Sequence, residues 1–239
     1  MENGGETYRV EETVTRMGRA FGLKDVESFA VPSGVFVSYE KEDGSHETAV
    51  LRVHRKGINL TRVNAVNQIS RQAERGEITL DGALRALQAI EYSTLYTNRQ
   101  ILPAAGISAA AWAIMFGGGV ADFFIAFATA IVAELLTQWM TKRQVHGYMA
   151  TLLCSFVSTI LPQLVCHALQ TGSPEACIAG ALMPLLPGLA MTNAIQDTMR
   201  GDIVSGVAHG MNAILIAGMI AGGTLCASSL FHLLIGGLM

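Results

Sequence analysis

The chain has 239 residues, 51 % of them hydrophobic, and a formal net charge of -3, with no basic cluster that would suit a nucleic acid. Thirteen of its 16 Lys and Arg residues lie in the first hundred positions, and the rest of the chain carries only Lys142, Arg143 and Arg200. Such a change of solvent along one chain excludes most soluble-enzyme classes and points to a water-soluble domain, 1–94, followed by a membrane-embedded helical domain, 95–239.

From residue 7 to 21 the apolar positions Val10, Val14, Met17 and Phe21 recur at helical spacing, and Gly22 stops the pattern. Charged groups Glu6, Arg9, Glu12 and Arg16 share a face of this helix, either as a solvated face with local ion pairs or as a polar lining at the mouth of a pathway. Extended segments 26–31 and 34–40 are separated by Pro32-Ser33. Asp43-Gly44 signals a hairpin into a third strand, 46–53. His46 and His54 have no partner at metal-ligand spacing and read as surface strand residues. Val63, Val66, Ile69 and Ala73 mark a second helix ended by Gly76. Leu80, Leu84, Leu87 and Ile90 mark a third, capped by Thr79 and running directly into the first span. The opening residues are charged and helical in pattern, unlike a secretory leader. These elements form a small cytoplasmic α+β domain.

A membrane span takes about 20 mostly apolar residues. About five segments qualify: 95–116, 120–140, 145–169, 176–198 and 204–228. With the amino terminus in the cytoplasm, Lys142, Arg143 and Arg200 all fall on the cytoplasmic side, and Met239 falls outside. Trp139 and Trp112 sit where interfacial aromatics belong. Cys154, Cys166, Cys177 and Cys226 read as small packing residues. Cys166 and Cys177 can approach each other near the outer face, and the spacing suggests no metal site.

Ionisable residues inside such segments usually face protein or a cavity. Asp122 sits near the outer start of the second segment, in the headgroup region or within the bundle. Glu134, with Gln138 one turn below, is either a functional group or a partner for a neighbouring helix. The fourth segment is the most unusual. Pro184, Pro187 and Gly188 break it mid-membrane, and such breaks are tolerated only inside protein or beside a wet cavity. Beyond the break Asn193, Asp197 and Arg200 follow at i, i+4 and i+7 as one polar stripe. Asp197 either carries a proton or pairs with a substrate ammonium, or is held structurally by Arg200. His209 and Asn212 put more polar groups on the last segment. Gly106, Gly117 to Gly119, Gly218, Gly222 and Gly223 allow close helix approach.

The order Glu6-Thr7-Tyr8-Arg9-Val10-Glu11 after a Gly-Gly pair, then Val26-Glu27-Ser28-Phe29, then Leu186-Pro187-Gly188 through Asn193-Ala194-Ile195-Gln196-Asp197 to Gly201-Asp202 resembles the threonine/serine exporter family. The likeness covers essentially the whole chain and is to the split-gene form, in which the amino-terminal half is a separate protein. It implies export of small polar metabolites, threonine and serine or a dicarboxylate such as succinate. It also implies a multi-pass protein of the cell (inner) membrane working with a smaller membrane protein that resembles the missing half. Expected substrate contacts are Asp197, Asn193 and Glu134, with Pro187 and Gly188 making the break and Arg200 attracting a carboxylate at the inner mouth.

No Walker loop, GxGxxG, GxSxG or HExxH is present, so ATP-driven transport by this chain alone is not expected. No catalytic residue, cofactor or metal is assigned. The competing class is a membrane-anchored ligand-binding or sensor protein. An intramembrane enzyme is disfavoured because no nucleophile-base pair is evident.

Overall fold

The computed structural model describes residues 1–41, 43–53, 57–91 and 96–236. The junction expected at 94/95, His54 and Met239 lie outside the described residues. The chain divides into two compact units, one of Met1–Thr94 with Leu189–Met211 and the other of Leu95–Gly188 with Asn212–Met239.

The first unit opens with helix α1 (Thr7–Ala20), followed by an antiparallel sheet in the order β1 (Lys24–Val31), β2 (Gly34–Glu40) and β3 (His46–Arg52). Register pairs Phe29 with Phe36 and Val37 with Ala49. The two-residue link Pro32-Ser33 joins β1 to β2. The Asp43-Gly44 turn closes the second hairpin, with Gly44 at φ +78° and the Asp43 carboxylate accepting from Ser45 N at 2.9 Å. Buried Val26 and Ala30 of β1 face α1, where Gly18 leaves room for Val26. Helices α2 (Leu60–Glu74) and α3 (Leu80–Glu91) complete the amino-terminal part. Asn59 caps α2 by accepting from Arg62 N at 3.1 Å, and Thr79 accepts from Gly82 N at 3.3 Å. Helix α8 (Gly188–Met199) and the first turns of α9 (Ile203–Gly236) belong to this unit as well, although the sequence places them in the membrane domain.

The second unit contains α4 (Asn98–Met115), α5 (Val120–Lys142), α6 (Gly147–Leu169), α7 (Pro174–Leu182), a 3-10 turn at Met183–Leu185, and the rest of α9. Small residues set its packing. A side chain at Gly106 would strike the Phe127 ring at 2.7 Å, and one at Gly180 would strike Ala109 O at 2.5 Å. Ala109, Ala110 and Ala113 on α4 are fully buried. Polar side chains join α6 to α9: Tyr148 donates to Asn212 at 2.8 Å, Thr159 to Thr224 at 3.3 Å, and Gln163 to Ser228 at 3.2 Å. Such interhelical bonds hold helices together where lipid supplies no hydrophobic drive.

Among the described residues, three helices are long and apolar enough to cross a membrane: α5, α6 and α9. The count rises to four if α7 and α8, bent at the break, form one span. This corrects the expectation of about five. Helix α4 has only 18 residues and begins with the polar turn Asn98-Arg99-Gln100, so its apolar part is shorter than the roughly 20 residues a bilayer core requires. The break itself falls where proline chemistry puts it. Leu186, before Pro187, is extended at φ −64° and ψ 137°, and helix resumes only at Gly188.

Candidate functional site

The amino-terminal turn of α1 and the carboxyl-terminal half of α8 meet inside the first unit. Asn193 and Asp197, one turn apart, are both buried, and Asp197 is fully so. The Thr7 hydroxyl donates to Asp197 Oδ2 at 3.1 Å, and His209 Nε2 of α9 lies 3.8 Å from the same oxygen. Asp197 Oδ1 and Asn193 Oδ1 are buried without a hydrogen-bond partner among the described residues. Gly4, at φ +86°, brings the chain before α1 against Leu189 of α8. Gly206 does the same between helices: a side chain there would run into Thr198 and Ala194 O, so only glycine lets α9 lie this close to α8.

Arg200 departs from the single stripe expected with Asp197. It is exposed, and its guanidinium carbon lies 3.5 Å from the Tyr8 ring centroid, a cation–π contact. The basic side chain beside Asp197 among the described residues is His209, at 3.8 Å. Glu134 belongs to the second unit, half-buried on α5, where Gln138 Nε2 donates to it at 3.0 Å. Pro187 and Gly188 also fall in that unit's stretch of chain. The structure thus brings Asn193 and Asp197 together with Thr7, Tyr8 and His209.

Thr7 and Tyr8 were not legible as site residues. Thr7 is 190 positions from Asp197, and the one local hint is the Gly4-Gly5 pair that permits close approach. Nearby on α1, Glu11 accepts from Ala30 N at 2.7 Å. Burial pushes its carboxyl above the usual range, the Ala30 amide opposes this, and the carboxylates of Asp202 and Asp197 add to the rise. The charged face of α1 makes local ion pairs and borders a cavity. Arg9 Nε lies 2.5 Å from Glu6, Arg16 pairs with Glu12 and with Glu74 of α2, and all four α1 residues border a cavity.

In the second unit Asp122 is a clasp. Its two oxygens accept from Gly119 N and Ser173 N, each at 2.7 Å, and the Cys177 thiol donates at 3.2 Å. Asp122 thereby ties the start of α5 to the turn before α7. Asp122, Cys166 and Cys177 place their potential ligand atoms within 4.8 Å of one another, a grouping that the sequence spacing does not reveal. The hydrogen bonds already account for the carboxylate.

A family profile described as "Putative threonine/serine exporter" matches residues 1–231. A Klebsiella aerogenes protein named "Probable succinate transporter subunit YjjP" is 28% identical over 217 residues, covering 90% of this chain and 83% of that protein. The Escherichia coli (strain K12) protein of the same name is 27% identical over 90% of this chain and 84% of its own length. A "Threonine/serine exporter" of Corynebacterium glutamicum is 27% identical over 171 residues, which are 69% of this chain and 35% of that protein. No solved structure matches the chain. With its long apolar helices, the chain is a multi-pass membrane protein, and it belongs to the threonine/serine exporter family.

Proposed function

We propose that this chain is one subunit of a two-part secondary transporter that exports a small polar metabolite across the cell (inner) membrane. The metabolite is threonine or serine, or a dicarboxylate such as succinate. The observation that carries this reading is the burial of Asp197 and Asn193 on α8, directly after the Pro187-Gly188 break. Burying a carboxylate is costly unless it is paired or hydrogen-bonded, so a fully buried Asp197 serves a ligand, a proton or a partner group. Broken helices with polar ends are how secondary transporters build midplane sites.

In this reading Asp197 and Asn193 contact the solute or a coupling proton, and Glu134 supplies a further polar contact. Pro187 and Gly188 make the break, and Arg200 draws a carboxylate to the inner mouth. Residues 1–94 form a cytoplasmic domain, since the membrane half then keeps Lys142, Arg143 and Arg200 on the cytoplasmic side. No residue is given a catalytic role.

A second, smaller membrane protein completes the transporter. Support comes from the Corynebacterium exporter, of which this chain matches only 35%, and from two relatives that are named subunits. Cells expressing this chain with and without the gene for such a partner test the proposal. Efflux of threonine or succinate should require both. Robust transport by the purified chain alone in liposomes, or no efflux with any partner, would overturn it.

A further inference from the structure

A cavity of about 850 Å³ lies within the first unit, between α1, α2, α3 and the start of α8. Its volume is in the range of small-molecule sites, about 300–1,000 Å³. One wall carries Arg62, Asn67 and Arg71 of α2. Another carries Glu6 and Arg9 of α1, and α8 contributes Leu189 and Asn193. The two α1 arginines that line it are already engaged, Arg9 by Glu6 and Arg16 by Glu12 and Glu74, whereas Arg71 has no ion-pair partner among the described residues. Asn193 is 2% exposed, and its Oδ1 has no hydrogen-bond partner although the residue lines this space. A buried amide oxygen left unpaired beside a roomy cavity of mixed polar and apolar lining is a position that a ligand can satisfy.

We propose that this chamber is a binding site for a carboxylate-bearing solute. The Arg71 guanidinium holds a carboxylate, and Asn193 takes the solute's second polar group. Planar guanidinium forks suit carboxylates, by bidentate and charge-assisted hydrogen bonds. Asn193 is one helical turn before Asp197, so a solute bound here lies next to the buried carboxylate on α8. The amino-terminal domain is then a receiving chamber for the transported molecule. The identity of the solute rests on the transporter reading, but the existence of the site does not.

Calorimetric titration of the full chain, purified with its partner, tests the proposal with L-threonine and with succinate as probes. At least one of them should bind. Arg71→Gln should weaken that binding about tenfold or more, the loss of a charge-assisted hydrogen bond. Val63→Trp, which fills the chamber, should abolish it, and thermal unfolding checks that this variant is folded. If it is not, Arg71→Gln decides, because Arg71 is exposed and its loss should leave folding intact. Asn193→Asp separates the two chemistries. It should weaken succinate by about tenfold through like-charge repulsion and spare threonine, whose ammonium it can meet. An equal response of both solutes would remove Asn193 from the site. The proposal is overturned if neither solute binds, or if binding persists in folded Arg71→Gln and Val63→Trp proteins. Binding that follows these expectations in a protein that never supports efflux would sustain the chamber and overturn the transporter reading instead.

Discussion

The Thr7 hydroxyl donates to the carboxylate of Asp197 at 3.1 Å, and both side chains are fully buried. This bond joins the first turn of the amino-terminal domain to the half-helix after the Pro187-Gly188 break. It makes the first turn of α1 part of the candidate site.

Thr7→Val keeps the shape of the side chain and removes the donor. A buried acceptor stripped of its partner costs about 1–3 kcal/mol. The variant should unfold at lower temperature and lose most efflux, while Thr7→Ser should retain both. Unchanged thermal unfolding and efflux in Thr7→Val would show that the bond has no role.

Asp197→Asn distinguishes function from support. It keeps the size of the group and an acceptor for Thr7 but removes the charge. Efflux should be abolished while expression and assembly with the partner stay normal. Near-normal efflux from a well-expressed variant would exclude Asp197 from the site, and loss of folded protein would show a structural role.

Gly206→Leu should prevent α9 from approaching α8, since any side chain there meets Thr198 and Ala194 O. Overpacking of this kind typically costs about 1–3 kcal/mol. The yield of folded protein by size-exclusion chromatography should fall. Gly218→Leu is the control, because a Cβ there meets no described atom within 4 Å, and its yield should match the parent protein.

Asp122→Ala removes the acceptor for both Gly119 N and Ser173 N. Each buried donor left without a partner costs about 1–3 kcal/mol. The amount of folded protein should drop sharply, and efflux should fall only in proportion to it. Efflux per folded molecule that collapses further would give Asp122 a direct role in transport.

Glu11 provides a pH test outside the membrane segments. Its carboxyl is raised in the folded state, mainly by burial, so folding favours the protonated form. A raised acid loses stability as pH climbs through the interval between its unfolded and folded values. Glu11→Gln can still accept from Ala30 N but carries no charge. The variant should therefore gain stability relative to the parent as pH rises above the ordinary glutamate value of about 4.3, read by thermal unfolding. A stability difference that is flat with pH would contradict the burial of this group.

Much of the fold was written in adjacent residues. Val10, Val14 and Met17 announce α1 by their spacing, Asp43-Gly44 demands the turn between β2 and β3, and Leu186-Pro187 cannot continue a helix because proline lacks a donor and crowds the preceding residue. The shift from charged to apolar composition likewise marks the membrane half, because lipid penalises every charge it meets. Asn193 and Asp197 stood out for the same reason. Tertiary structure alone decided what those residues touch. Local periodicity places Asp197 and Arg200 on one stripe, yet packing buries Asp197 against Thr7 and His209 and turns Arg200 outward onto Tyr8. Asp122 became a clasp only when the turn at Ser173 arrived beside it. Composition read 95–116 as a full span, while the observed helix is 18 residues with a polar first turn. Spacing along a chain encodes faces and breaks. It cannot encode which distant face arrives opposite, since that depends on the packing of all the helices at once.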